Sequence, residues 1–190
     1  VNVPDKRLDA LNRLISPEKL IPTTVKIVDI AGLVKGASKG EGLGNKFLSN
    51  IRETDAIIHV LRCFDDPNVV HVDGKINPLS DREVVEYELI MKDIEILDKR
   101  LDKVNKTIRS GGNEAKKEIE ILERVKLSLE STKVNLDDYS EDEFKDFIKP
   151  LELISFKPIL YVCNVGESDV VHGNDYVEMV KKEANVKSSG

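Results

Sequence analysis

An aspartate and a glycine, Asp29 and Gly32, stand at the end of a short β-branched run at residues 25–30 and could together hold a metal-bound phosphate. Such a run is typical of a buried parallel strand. Open α/β sheets bind ligands at the carboxyl edge of their strands. There a carboxylate can reach Mg²⁺, directly or through water, and a glycine N–H can approach a terminal phosphate. The spacing therefore predicts a phosphate-binding edge with Asp29 near the metal.

A glycine-rich stretch follows this pair and contains Gly36, Gly40, Gly42 and Gly44. We expect it to be a switch segment that orders around a γ-phosphate and relaxes when that phosphate is lost. Many nucleotide hydrolases place a glutamine directly after Asp-x-x-Gly, where it orients the attacking water. This chain has Leu33 there, and a leucine cannot orient water. Slow intrinsic hydrolysis is therefore expected.

Two further segments of the chain could complete the nucleotide site. The apolar run at 157–164 ends in Asn164. Val165 follows it directly, and Glu167 lies three residues after the asparagine. The four residues 164–167 would usually form only a turn. After a buried strand, however, the Asn side chain can bridge a nucleotide base to the phosphate-binding loop, and the Glu carboxylate can contact the edge of the base. His71, in a polar loop, is a candidate for positioning water, with a simple loop hydrogen bond as the alternative. His59 lies within a strand-like run and is interpreted as a core residue.

Composition limits the class of protein. The chain has 190 residues, 40% hydrophobic and 5% aromatic, which indicates one core built from Ile, Val and Leu. A charged fraction of 34% suggests long solvated helices, and the net charge of −6 argues against bulk binding to nucleic acid. Cys63 and Cys163 have no metal or redox spacing and are interpreted as reduced core residues. Without a membrane-spanning run or a signal peptide, the prediction is a cytoplasmic monomer that does not bind membranes.

The elements that must position these residues follow from periodicity. Strands are predicted at 25–30, 56–64 and 157–164, and helices at 5–15 and 45–53 and from Asp175. Strand, loop, helix and strand in succession indicate an α/β fold with a mostly parallel sheet. Capping boxes at Ser80 and Ser140 predict two further helix starts.

Apolar residues in a heptad pattern run from Ile90 to Ile108, and a second, less regular series follows 111–113, a predicted turn. The pattern favours an antiparallel coiled-coil hairpin projecting from the sheet, with an ordinary helix pair packed on the sheet as the alternative. The expected domains are a nucleotide-binding domain over 1–80 and 136–190, and a helical insertion over 81–135. Cations near the tip suit RNA phosphates, although they could simply solubilise the helix ends. The candidate contacts are Lys103, Lys106, Arg109, Lys116 and Lys117.

The phosphate cradle Gly-x-x-x-x-Gly-Lys-[Ser/Thr] occurs nowhere in these residues. The stretch at 40–46 fails the pattern, because asparagine precedes Lys46 and phenylalanine follows it. We therefore expect that the chain starts partway through its parent domain and that it does not hydrolyse nucleotide by itself.

Several long segments together resemble the YchF/Obg-like ATPase family of translation-factor-related P-loop GTPases. They are residues 3–11, 22–24, 29–47, 50–56 and 71–75. The resemblance implies a Ras-like P-loop nucleotide-binding domain interrupted by a helical coiled-coil hairpin and followed by a TGS domain, which we expect to lie outside these residues. It also implies ribosome or ribosomal RNA as partner.

Carried over by motif, Asp29 and Gly32 become the switch-two pair, and 36–44 its mobile part. Asn164 and Glu167 match the family's Asn-x-x-Glu, with the backbone of Val165 beside the base. True GTPases have Asp where Glu167 stands, and that Asp accepts hydrogen bonds from two donors of guanine. Without the Asp, the preference for guanine disappears. The resemblance therefore implies Mg²⁺-dependent ATP hydrolysis. GTP hydrolysis and a non-catalytic nucleotide-sensing adaptor for RNA or protein remain alternatives.

Overall fold

The structure is a computed structural model that describes residues 1–29, 50–69, 75–132 and 134–188. The chain divides into two compact units, Val1–Ala31 and Gly32–Gly190. The helices and strands are α1 (Lys6–Ile15), β1 (Ile57–Arg62), α2 (Pro78–Glu130), α3 (Glu141–Glu143), a π-helix (Phe144–Ile148), β2 (Ile159–Asn164), α4 (Asp175–Ser188), and 3-10 helices at Leu136–Asp138, Lys149–Leu151, Ile154–Phe156 and Glu167–Asp169. Residues 50–52 are also helical.

The first unit contains α1 and a short antiparallel contact. Asp5 caps the helix as predicted, since its Oδ1 accepts a hydrogen bond from the N–H of Arg7 at 2.9 Å. The chain start lies against 23–25, where the N–H of Val3 donates to the carbonyl of Thr23 at 2.8 Å. The predicted buried strand at 25–30 is wrong for its described residues: 25–29 have no regular secondary structure and are exposed. A buried strand needs backbone partners and apolar cover, and among the unit's described residues only the chain start pairs with this segment, near Val25.

In the second unit, β1 and β2 form a two-stranded parallel sheet in which Ile57 pairs with Ile159 and Arg62 with Asn164. The predicted parallel pairing of an α/β fold is confirmed for these strands. Burial alternates along both strands, whereas we expected cover on both faces. One face packs against residues of α2 and α4 around Leu61, Cys63 and Val180. The other face is exposed, because the helices that pack on this sheet within the described residues lie on the first face.

Helix α2 begins earlier than predicted. Asn77 is its N-cap, and Oδ1 of Asn77 accepts a hydrogen bond from the N–H of Ser80 at 3.3 Å. Pro78 occupies the first turn, where its fixed φ suits a helix and its missing N–H leaves no donor unsatisfied. The predicted capping box at Ser80 is therefore wrong, because the Asn-Pro pair starts the helix first.

The long helix breaks at Gly112, whose φ of 57° and ψ of −141° are not helical. This break lies within 111–113, the predicted turn. Two ion pairs join the arms on either side of it. Nε of Arg100 lies 2.6 Å from Oε1 of Glu118, and Nζ of Lys126 lies 2.7 Å from Oδ1 of Asp98. The residue numbers of each pair are roughly symmetric about Gly112, so the arms run antiparallel.

A second core joins the two arms to the segment that follows them. Its buried residues include Leu97, Leu122 and Leu129 from the arms and Ile148 and Leu153 from beyond them. The capping box of Ser140 and Glu143 is present as predicted and starts α3. The hydrophobic core of the arms therefore continues to about Leu153, past the boundary expected at 135.

Candidate nucleotide-binding site

The predicted base-contacting residues lie together at the carboxyl end of β2. Asn164 is the last residue of the strand, and its side chain is exposed and makes no hydrogen bond with a described residue. Its carbonyl accepts a hydrogen bond from the N–H of Cys63 at 2.7 Å, which fixes the backbone of Asn164 to the end of β1. Val165 packs into the core, and Glu167 begins the 3-10 helix Glu167–Asp169 with an exposed carboxylate. The turn from Asn164 to Glu167 thus presents an exposed amide and an exposed carboxylate at one edge of the sheet.

Two side chains at the start of α4 hold this edge, one just before the helix and one in its first turn, and neither was predicted from the sequence. Nδ2 of Asn174 donates to the carbonyl of Cys63 and to Oδ2 of Asp169, each at 2.8 Å. The hydroxyl of Tyr176 donates to Oδ2 of Asp65 at 3.0 Å. An asparagine directly before Asp175 is a helix-start signal that could have marked the first of them.

Arg62 organises the loop that leaves β1. Its guanidinium donates to three backbone carbonyls, those of Phe64 at 3.2 Å, Asp66 at 3.4 Å and Val69 at 3.0 Å. It also lies 4.7 Å from the centre of the Phe64 ring. No motif of the sequence indicated this role, because the bonds go to backbone atoms.

The other predicted nucleotide-site residues lie between positions 29 and 71 of the sequence. Asp29 lies in the first unit and is exposed. The predicted phosphate, switch and water-positioning residues fall outside the described residues; they are Gly32, Leu33, Gly36, Gly40, Gly42, Gly44 and His71. No group of three or more His, Cys, Asp or Glu side chains that could hold a metal occurs in the described ranges.

Buried polar groups connect β2 to the start of α2. Arg82 is 3% exposed and forms ion pairs with Glu86 at 3.3 Å and Glu183 at 3.6 Å. Its guanidinium lies 5.8 Å from the ring centre of Tyr161, whose hydroxyl donates to Glu86. Burial, and then the bond to Glu86, raise the pKa of Tyr161. Burial lowers the pKa of His59, whose ring centre lies 5.9 Å from that of Tyr161.

Both cysteines are free thiols of the sheet core. Burial, and after it the nearby thiol of Cys163, raise the pKa of Cys63 to about 12. A thiol with such a pKa stays protonated and is a poor nucleophile. This agrees with the prediction of reduced core residues.

The predicted basic tip is only partly free. Lys103, Lys106 and Lys116 are exposed. Nζ of Lys117, also exposed, lies 5.8 Å from the ring centre of Phe147, so this cation contacts an aromatic side chain that packs against the second core. Arg109 lies in α2, but its side chain falls outside the described part. None of the helices described is long and apolar enough to cross a membrane.

Residues 11–108 match the family model described as 50S ribosome-binding GTPase. The chain belongs to this family. The resemblance to the YchF/Obg-like ATPases is confirmed by relatives called ribosome-binding ATPase YchF. The protein of this name from Bacillus subtilis is 46% identical over 186 residues, which are 97% of this chain and 51% of that protein. The one from Mycoplasma genitalium is 49% identical over 182 residues, covering 96% of this chain and 49% of that protein.

A solved structure described as the Schizosaccharomyces pombe YchF GTPase is also similar. It superposes with a TM-score of 0.79 at 39% identity, over 96% of this chain and 50% of that one. The chain therefore spans about half the length of the curated relatives and of the solved structure that it matches.

Proposed function

We propose that the full-length protein is a nucleotide-dependent switch that binds ATP with Mg²⁺, hydrolyses it slowly and acts on or near the ribosome. The main support is the turn from Asn164 to Glu167, which presents an exposed amide and an exposed carboxylate at the carboxyl edge of a parallel strand. Ligands of open α/β sheets bind at this edge. The names of the relatives, ribosome-binding ATPase, agree with this function.

Preference for ATP follows from the length of the Glu167 side chain. A shorter aspartate at this position would accept both N1–H and the exocyclic amine of guanine, whereas adenine offers no such pair of donors. In competition binding to the full-length protein, we expect wild type to prefer ATP and Glu167→Asp to shift the preference towards GTP by about tenfold, or about 1.4 kcal/mol. Glu178→Asp is the matched control, because Glu178 is an exposed residue of α4 paired with Lys181. A wild-type protein that prefers GTP contradicts the proposal.

The catalytic part of the proposal assigns roles to Asp29, which is exposed in the first unit, and to residues outside the described ranges. Asp29 would contact Mg²⁺ through water, Gly32 would approach the γ-phosphate, and 36–44 would be the switch segment. With Leu33 unable to orient water, His71 would do so. Full-length His71→Ala should bind ATP as wild type does and hydrolyse it at least about a hundredfold more slowly, since general acid–base effects are about 10²–10⁴. Unchanged turnover removes His71 from the mechanism, and binding without turnover in wild type favours the sensing adaptor.

The helical arms are proposed as a coiled-coil insertion that contacts ribosomal RNA. The support is the antiparallel pairing about Gly112 and the exposed cations near it. Reversing Lys103, Lys106 and Lys116 to Glu should weaken ribosome binding and reduce its salt dependence, with a change in log–log slope of up to about 3. Binding that survives the change rules the tip out. A control variant with the same change in net charge reverses three other exposed lysines, Lys19, Lys26 and Lys182.

A further inference from the structure

We propose that Asn174 is a positioning residue that fixes the geometry of the turn from Asn164 to Glu167, and so the affinity for the nucleotide base. This inference rests on the proposed function of that turn. Asn174 lies just before α4 and is half-buried. Its side-chain amide hydrogen-bonds to Cys63, which pairs with Asn164 at one end of the turn, and to Asp169, which lies just beyond Glu167 at the other end.

One end of the turn is held through Cys63. The N–H of Cys63 donates to the carbonyl of Asn164 at 2.7 Å, and the carbonyl of Cys63 accepts from Nδ2 of Asn174 at 2.8 Å. Because Cys63 is fully buried, this residue gives the amide a fixed anchor. The backbone of Asn164 and the side chain of Asn174 are therefore bonded to the same residue.

The other end is held through Asp169, the last residue of the 3-10 helix that Glu167 begins. Oδ2 of Asp169 accepts a second hydrogen bond from Nδ2 of Asn174 at 2.8 Å. The N–H of Gly173 donates to the carbonyl of Asp169 at 2.7 Å, which closes the loop between the 3-10 helix and α4. Together these bonds set how far the Glu167 carboxylate stands from the Asn164 amide.

A simple helix cap would explain only part of this arrangement. Oδ1 of Asn174 accepts a hydrogen bond from the N–H of Val177 at 3.1 Å, and this is the capping interaction. The two bonds from Nδ2 have no part in capping. An aspartate at 174 keeps the cap acceptor, loses both donated bonds and places a second carboxylate beside Asp169. Asn174→Asp therefore separates positioning from capping.

The test measures binding of ATP and of inorganic tripolyphosphate, both with Mg²⁺, to the full-length protein by titration calorimetry. Tripolyphosphate reports the phosphate site without a base. For Asn174→Asp we expect ATP affinity to fall by about tenfold, as for the loss of one to two hydrogen bonds, while tripolyphosphate affinity stays within about twofold. Tyr176→Phe is the control: it removes the bond from α4 to Asp65 but leaves the turn intact, so the ratio should not change.

Asp169→Ala tests the same link from the other side and should produce the same selective loss, which keeps the inference testable if Asn174→Asp folds poorly. The inference is overturned if both variants keep the wild-type ratio of ATP to tripolyphosphate affinity. A different result, wild type that binds ATP no more tightly than tripolyphosphate, refutes the base site itself and this inference with it. The two failures are therefore distinguishable.

Discussion

Asp93 is a buried carboxylate whose removal should destabilise the second core. It lies on the first arm of α2 and is 0% exposed. Its two oxygens accept hydrogen bonds from the N–H groups of Ile154 at 3.1 Å and Ser155 at 2.7 Å. These donors begin the 3-10 helix Ile154–Phe156, which has no side-chain cap of its own. Asp93 thus caps a helix from 61 residues away in the chain.

The expected loss of stability follows from the two hydrogen bonds that removal of Asp93 would break. Hydrogen bonds to a charged group contribute about 1.5–3 kcal/mol each, and Asp93→Ala removes two while leaving the buried N–H of Ile154 without a partner. Relief of the desolvation of a buried carboxylate offsets part of this loss. We expect the free energy of unfolding to fall by about 3–5 kcal/mol for Asp93→Ala. Asp93→Asn keeps one acceptor oxygen and should lose about 1–3 kcal/mol.

The stability contributed by Asp93 should also depend on pH, with a sign opposite to that of most carboxylates. Burial raises the pKa of Asp93 above the ordinary 3.8, although the backbone bonds from Ser155 and Ile154 act in the other direction. The folded state therefore binds this proton more tightly than the unfolded state. The stabilisation from protonation is complete below pH 3.8 and is lost as the pH rises through the folded pKa.

Urea unfolding followed by circular dichroism at 222 nm measures both effects, since α2 supplies most of the helical signal. Wild type should gain stability relative to Asp93→Asn as the pH falls from 7 towards 4. An Asp93→Ala protein within about 0.5 kcal/mol of wild type would refute the assignment of Asp93 as a cap, because surface substitutions alone reach that size. A stability difference that is flat with pH would refute the raised pKa.

Three further substitutions test the helical arms and their attachment to the sheet. Leu97→Ala, at a fully buried site of the second core, should lower the free energy of unfolding by about 2–5 kcal/mol in urea, and a loss below 1 would contradict that packing. Gly112→Ala should lower the free energy of unfolding by about 1–3 kcal/mol through backbone strain alone, since an added Cβ meets nothing within 4 Å. Thermal melting measures this loss, and Asn113→Ala, at the exposed next residue, is the control. Arg82→Leu should lower the free energy of unfolding by about 3 kcal/mol, because a buried ion pair loses its cation. Lys181→Leu, at an exposed ion pair, should change it by less than about 1 kcal/mol. Equal effects would refute the view that the buried pair contributes more than the exposed one.

Local signals in the sequence predicted much of the fold. The Asp5 cap, the strands paired at Ile57–Ile159, the capping box at Ser140 and the break at Gly112 depend on residues within a few positions of each other. The strand at 25–30 was predicted from the same kind of signal, but a strand also needs partners, which no local pattern specifies.

The residues that hold the candidate site escaped sequence analysis for a related reason. Asn174 and Cys63 lie 111 residues apart, and Arg62 bonds to backbone carbonyls that every residue type carries. The motif of Asn164 and Glu167 was recognisable because its two side chains lie three positions apart on one turn. Contacts that depend on the tertiary fold leave no such spacing in the sequence.

The buried cluster around Arg82 has a mechanical consequence for the helical arms. It joins the root of α2 to β2 and α4, so any rotation of the first arm about its root would pivot close to the strand that ends in Asn164. From Pro78 to Gly112 an α-helix extends roughly 50 Å at 1.5 Å per residue. A rotation of about 2° at this pivot therefore moves the far end by roughly 2 Å over that length. A rotation at the strand too small to break its hydrogen bonds would thus become a shift of atomic size at the far end of the arm.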